Sequence, residues 1–284
     1  MGICNLREIL KKAREERYAV GAFNILDYCS MRAVVESAVE LKAPVIIQTS
    51  VKTVKFWGYS EIISWYKQLA GKADVPIAIH LDHCKELNII EKCIEAGWTS
   101  VMIDASNKPF EENLSLTSLA VNMALPRNVT VEAELGEILG VEDDASVKAK
   151  DARLPDPEKA VLFCRRLSLD VFAPAIGTAH GLYKGEPQIA FELLKEIAER
   201  TVLPIALHGG TGLSDNVFLK AISLGCAKIN ISTMLKHSFI NGFMEHGKKH
   251  SDDYNPLNYL QAQLDALKKP VKEKILLFGS RGKG

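Results

Sequence analysis

Eight short apolar runs, each followed by a longer amphipathic stretch, constrain this chain more than any other feature of it. The runs fall at 19–24, 44–49, 76–82, 100–104, 129–134, 170–176, 204–208 and 226–231 and are rich in Val, Ile, Leu and Ala. Helical patterns lie between them, such as 30–41, 86–96, 111–124, 157–167, 189–199 and 216–224. Near-continuous apolar strands joined by helical crossovers belong to a parallel sheet covered on both faces. Eight such units fit a closed barrel better than an open doubly wound sheet, so the expected fold is an α/β TIM (β/α)8 barrel. An extra N-terminal helix at 6–17 is expected to cover the barrel's bottom. With no repeat, low-complexity tract or linker, residues 1–284 read as a single domain.

Two segments depart from the rhythm. A long polar connection, a lid loop at about 136–156, follows the fifth predicted strand. A polar C-terminal tail at about 252–284 is expected to pack on the barrel or on a partner subunit.

Composition narrows the function. Apolar residues make up 47% of the chain, ample for one core, and 35 Lys and Arg balance 35 Asp and Glu. Zero net charge provides no broad basic field, which argues against nucleic acid or an anionic membrane as partner. An anionic ligand would have to be held by local devices such as helix N-termini. Six scattered cysteines form no dense framework, which suits a reducing cytoplasm. No 18-residue apolar run occurs, so a soluble cytoplasmic protein is expected.

In a TIM barrel the catalytic groups stand at the C-terminal ends of the strands. Those ends carry Asn24, Ser50, Asp82, His83, Asp104, Glu132, Glu134, His180, His208, Asn230, Ser232 and Thr233. His83, His180 and His208 are far apart in sequence but would meet on one rim. Three neutral imidazoles leave a tetrahedral zinc one open position, although each histidine could instead be hydrogen-bonded on its own. Asp82 beside such a metal could act as general acid/base, or could merely hold His83. Asp104 and Glu134 could orient the imidazoles or bind a displaced metal. HGGTG (208–212) and NIST (230–233) follow the seventh and eighth strands, where this fold places phosphate. A helix capped by Ser214 would add its dipole.

These motifs together resemble the class II fructose-bisphosphate and tagatose-bisphosphate aldolase family. The resemblance rests on AFNI (22–25), HLDH (80–83), VEAELG (131–136), GVEDD (140–144), AIGTAHGLYKGEP (175–187), LHGGTG (207–212), KINIST (228–233) and the terminal FGSRGKG. It implies reversible, zinc-dependent cleavage of a phosphorylated ketose into dihydroxyacetone phosphate and an aldehyde such as glyceraldehyde 3-phosphate. It also implies one catalytic Zn2+ on His83, His180 and His208, with Asp82 as general acid/base at the C4 hydroxyl. Glu142 would move the C3 proton from the lid. Asn24, Ser50, Gly181, Gly209, Gly210, Thr211, Asn230, Ile231, Ser232 and Thr233 would hold substrate. The carbonyls of Gly181 and Gly209 would also touch a Na+ or K+ ion. The implied assembly is a homo-oligomer, dimer or tetramer.

Departures from the family pattern surround the aldehyde half. GGTG resembles the fructose-type branch more than the tagatose-type ending, yet the stretch 48–61 differs from the glycine-rich one expected there. Met234 stands where acids are common. Arg281 stands where a small residue is usual, and could reach the distal phosphate of a neighbouring subunit. Two rival chemistries remain: a Schiff-base aldolase using Lys228, and a metal-dependent hydrolase on the same barrel.

Overall fold

The computed structural model describes residues 2–142, 145–147, 154–181 and 187–284; the side chains of residues 139–142, 145–147 and 180 lie outside the description. Eight parallel strands close into a barrel: β1 (Val20–Asn24), β2 (Val45–Ser50), β3 (Ile77–Cys84), β4 (Ser100–Ile103), β5 (Thr130–Leu135), β8 (Val171–Pro174), β10 (Ile205–Leu207) and β11 (Cys226–Ile231). Each lies within about two residues of its predicted run, as expected for strands whose apolar character is continuous.

Period-two alternation divides each strand between two environments. Phe23, Ile47, Ile79, Phe172 and Ile229 face the surrounding helices in one large core. Val20, Ala22, Ile46, Ala78, Val171, Ala173 and Ala206 fill the lower barrel together with Leu6, Ile9, Leu10 and Ala13 of helix α1 (Leu6–Glu15). Small residues dominate this lower layer, so the converging strands can close without voids. The same inward rows continue upward into Gln48, His80, Glu132 and Lys228, all fully buried. The barrel interior thus passes from apolar at the bottom to ionisable at the top.

Among its described residues, the connection after β5 carries two short strands. Strands β6 (Leu139–Glu142) and β7 (Ala145–Val147) pair antiparallel, and β6 pairs in parallel with β9 (Ala179–His180). The polar composition of this segment concealed these strands.

The C-terminal tail corrects the reading in the same direction. Residues Pro256–Leu277 form a 22-residue helix, α11, capped by Asn255. It packs on α2 (Tyr28–Leu41) and α10 (Thr233–Lys249) through Leu264, Leu267, Val271 and Ile275. Its stripe is narrow because the other faces are exposed, so its mean composition reads as polar. Beyond α11 the chain returns to the barrel's bottom, where Gly282 and Gly284 donate backbone N–H groups to Leu41 and Lys42. Among the described residues, no helix is long and apolar enough to cross a membrane.

Candidate active site

The upper rim assembles the polar strand endings into one connected group. Asp82, on β3, is 2% exposed and accepts two amide hydrogen bonds. Asn24 Nδ2 donates to its Oδ2 at 3.0 Å, and Asn230 Nδ2 donates to its Oδ1 at 3.2 Å. Behind Asn24, Gln48 Nε2 donates to its Oδ1 at 2.9 Å; behind Asn230, Lys228 Nζ donates to its Oδ1 at 2.6 Å. Ser50 pairs with Asp82 in the β2–β3 register and caps helix α3 (Val51–Trp57) through the Thr53 N–H.

His83 follows Asp82 directly, and strict alternation would point it away from the barrel. Its φ of 45° breaks the alternation, and the β3–β4 register shifts between Leu81 and Cys84. A left-handed histidine is strained backbone, and here it turns two consecutive side chains toward one site. His83 Nδ1 lies 3.4 Å from Asp104 Oδ2 and 3.9 Å from Glu134 Oε2. The His83 and His208 rings meet edge-on with centroids 4.6 Å apart. His208 Nδ1 lies 3.2 Å from Glu134 Oε2, and its Nε2 lies 2.7 Å from Glu132 Oε1.

One ligand atom from each of His83, Glu134 and His208 falls within 4.8 Å of the others. Two imidazoles and a carboxylate make a donor set that suits zinc. Electrostatics agree. Burial would push His208 down, but its bonds to Glu132 and Glu134 win and raise it above the ordinary imidazole value. Carboxylates that favour a proton on His208 equally favour a bound cation beside it. Burial works against ionising Asp104, yet the hydrogen bond from His83 holds it below the usual carboxylate range. Burial likewise opposes a charged Glu132, and Lys228 with His208 reverses that outcome. His80, by contrast, is driven well below the usual imidazole value, first by burial and then by Lys228. It bonds Ser100 Oγ at 2.8 Å and stays a neutral support beneath the site.

A small pocket adjoins this group, lined by Gly181, Gly209, Gly210, Thr211, Asn230, Ser232 and Thr233. Gly209 has φ +68°, and a Cβ there would lie 2.5 Å from the Ala179 carbonyl oxygen, so this turn requires glycine. The pocket sits at the N-terminus of α10, whose Met234 N–H reaches Thr211 Oγ1 at 3.4 Å. Backbone N–H groups at the start of a 17-residue helix suit an anion. Both predicted segments, HGGTG and NIST, line this pocket, whereas Ser214, which precedes helix α9 (Asp215–Ser223), is not among its lining residues.

The family described as fructose-bisphosphate aldolase class-II matches residues 4–283. The chain belongs to this family. It is therefore an aldehyde-lyase of the class II ketose-bisphosphate type. It is 40% identical over 282 residues to the D-tagatose-1,6-bisphosphate aldolase subunit GatY of Klebsiella oxytoca, covering 99% of both chains. The YdjI aldolase of Escherichia coli K12 superposes with TM-score 0.87 at 35% identity, covering 99% of both chains. The fructose-bisphosphate aldolase of Campylobacter jejuni gives TM-score 0.87 at 25% identity, over 100% of this chain and 97% of that one.

Of the predicted residues, this aldolase brings Asn24, Ser50, Asp82, His83, Asp104, Glu134, His208 and the residues of the small pocket to one rim. Ile231 is not among the residues lining the pocket, its side chain being fully buried in the outer core. His180 pairs with Gly140 through its backbone, and its imidazole lies outside the described residues. The Glu142 side chain lies outside them too, although its backbone closes β6. Arg281 is not brought to the rim of its own chain: its neighbour Gly282 bonds Leu41 at the opposite end of the barrel. Lys228 is fully buried, 3.0 and 3.2 Å from the two Glu132 oxygens. No surface remains for a substrate carbonyl to meet it, which removes the Schiff-base alternative together with the class II membership. Gln48 was missed as a site residue; an amide two residues before Ser50, in a run otherwise apolar, was the available signal.

Proposed function

We propose that this aldolase reversibly cleaves a ketose 1,6-bisphosphate or 1-phosphate into dihydroxyacetone phosphate and an aldehyde, as a single catalytic domain. The observation that carries the reading is the juxtaposition of three features. A buried carboxylate with two fixed amide donors, a His–Glu–His group and an anion pocket share one rim. The anion pocket and the amide-flanked acid favour a phosphorylated carbonyl substrate over a hydrolase's water.

In this reading His83 and His208 hold zinc together with His180 or Glu134. The metal, when bound, supplies an electrophile for the negative charge that develops on the substrate's oxygens. Asp82 takes the C4 hydroxyl proton during cleavage and returns it during synthesis. Asn24 and Asn230 keep its oxygens aimed at that hydroxyl. Gly209 through Thr211, with Ser232 and Thr233, bind the phosphate of the three-carbon half. Glu142 moves the proton at C3, and its strand β6 is tied by backbone bonds to β9, which carries His180. The name of the 40%-identical relative favours tagatose 1,6-bisphosphate, whereas GGTG resembles the fructose type. Exposed Ile240, Phe243, Met244 and Leu257 on α10 and α11 support a homo-oligomer.

The test is release of dihydroxyacetone phosphate from fructose 1,6-bisphosphate, tagatose 1,6-bisphosphate and their 1-phosphates, before and after EDTA and with zinc restored. Expected is turnover of one bisphosphate above the others, lost to the chelator and regained with zinc. Turnover indifferent to EDTA in protein shown to be metal-free would overturn the metal assignment.

A further inference from the structure

We infer that Lys228 is a positioning residue for Asp82, acting through the side-chain amide of Asn230. The inference rests on the reading of Asp82 as the acid/base group.

The argument starts from what an ammonium can do. Lysine has three N–H donors and no acceptor. Lys228 Nζ, fully buried in the barrel, places Glu132 Oε2 at 3.0 Å, Glu132 Oε1 at 3.2 Å and Asn230 Oδ1 at 2.6 Å. An amide facing a pure donor must present its oxygen. The Asn230 NH2 group is therefore forced to the other side, where it donates to Asp82 Oδ1 at 3.2 Å. With Lys228 behind it, Asn230 has one orientation and not two.

The opposite flank lacks this certainty. Asn24 also donates to Asp82, and its own oxygen accepts from Gln48. Gln48 is itself an amide, able to offer either atom, so on that flank only the ionised Asp82, a pure acceptor, orients Asn24; once Asp82 takes up a proton the flank could reverse as a unit. A reversed Asn24 would accept from the protonated Asp82, and only the fixed Asn230 donor would then hold the carboxyl plane in its original direction. Lys228 is thus the directional anchor of the chain Lys228, Asn230, Asp82, Asn24, Gln48.

Glu132 explains why a lysine can occupy this position. It neutralises the ammonium and, through the same Oε1, meets His208 Nε2 at 2.7 Å. A buried cation without such a partner would not be tolerated. The pair is therefore a post against which Asn230 is held, and it contains no exposed atom that could touch substrate.

The test is a mutant cycle on the zinc-loaded enzyme, with fructose or tagatose 1,6-bisphosphate, whichever is turned over. Lys228→Met should lower kcat on the order of 100-fold, the usual consequence of a misplaced catalytic group. KM and zinc content per chain, the latter by atomic emission, should stay within about twofold of wild type. In an Asn230→Ala background the same substitution should change kcat by less than about twofold, because the residue it acts through is gone. Should Lys228→Met fail to fold, Glu132→Gln with Lys228→Met removes the uncompensated charge and carries the same expectation for kcat.

Three results would overturn the inference: kcat in the folded variant within about twofold of wild type, a full effect persisting without Asn230, or loss of zinc in parallel with activity. Asp82→Asn separates this from the underlying reading. An Asp82→Asn enzyme with wild-type turnover removes Asp82 as the acid/base group. An inactive Asp82→Asn enzyme beside an unaffected Lys228→Met one removes only the role of Lys228.

Discussion

The Gly210 backbone runs against the Asn230 carbonyl so closely that a Cβ on Gly210 would lie 2.7 Å from that oxygen. Ile229 Cγ2 and Ile231 Cδ1 would each stand 3.3 Å away, so the methyl has nowhere to go without moving β11. Both residues line the proposed anion pocket, and Asn230 also reaches Asp82. Gly210→Ala should therefore affect binding and chemistry together. We expect KM for the bisphosphate to rise about tenfold with a smaller fall in kcat, and overpacking to cost roughly 1–3 kcal/mol in stability. Steady-state kinetics and a denaturant melt check both; unchanged KM in Gly210→Ala would place the phosphate elsewhere.

Glu134 stands 3.2 Å from His208 and 3.9 Å from His83, which leaves two roles for it. As a direct ligand it would be needed for zinc to stay bound. As a neighbour that orients the imidazoles it would only tune affinity, by about 10–100-fold on removal. We expect the second, so Glu134→Gln should bind zinc more weakly but measurably, whereas His83→Ala and His208→Ala should lose it. Competition with a fluorescent zinc chelator gives the three affinities. A Glu134→Gln protein as zinc-free as His208→Ala would make the carboxylate a ligand.

The eight strands were readable because apolar β-branched character is continuous in a doubly covered parallel sheet, and the rim residues were readable because each ends such a run. What escaped was local and conformational. Nothing in HLDH reveals that His83 takes φ 45° and so faces the same way as Asp82. Nor does the sequence pair Lys228 with Glu132 across 96 residues, or aim Gln48 at Asn24, since inward direction depends on register and bulges. Helix α11 escaped for a different reason: its narrow buried stripe is diluted by the exposed, mostly polar residues around it.

At the α10–α11 junction Asp253 accepts from His246 Nε2, the Asn255 backbone N–H and Asn258 Nδ2, each at 2.9 Å. The His246 bond, then the Asn255 and Asn258 bonds, hold its carboxyl down at about 2. A carboxylate lowered by folding stabilises above its unfolded pKa, near 4, and loses that contribution as pH falls toward 2. Asp253→Asn should accordingly melt below wild type at neutral pH, with the two melting temperatures converging as pH falls through this window. Parallel melting curves over the whole range would show that Asp253 is not the titrating group.

Arg281 offers the last test, because its backbone neighbours fix where it can act. Gly282 N–H donates to Leu41 at 3.0 Å, Gly284 N–H donates to Lys42 at 2.9 Å, and Lys12 Nζ donates to the Lys283 carbonyl at 3.1 Å. These bonds hold the terminal loop against the barrel end opposite the catalytic rim, so an arginine there meets a sugar phosphate only in another copy of the chain. Tail anchoring within one chain is sufficient to account for the loop, and Arg281→Ala should leave KM for the bisphosphate within about twofold of wild type. The 1-phosphate, which lacks the distal group, is the internal control. A KM raised for the bisphosphate and not for the 1-phosphate would mean that a neighbouring copy completes the site, and the effect should then fade as dilution dissociates the oligomer.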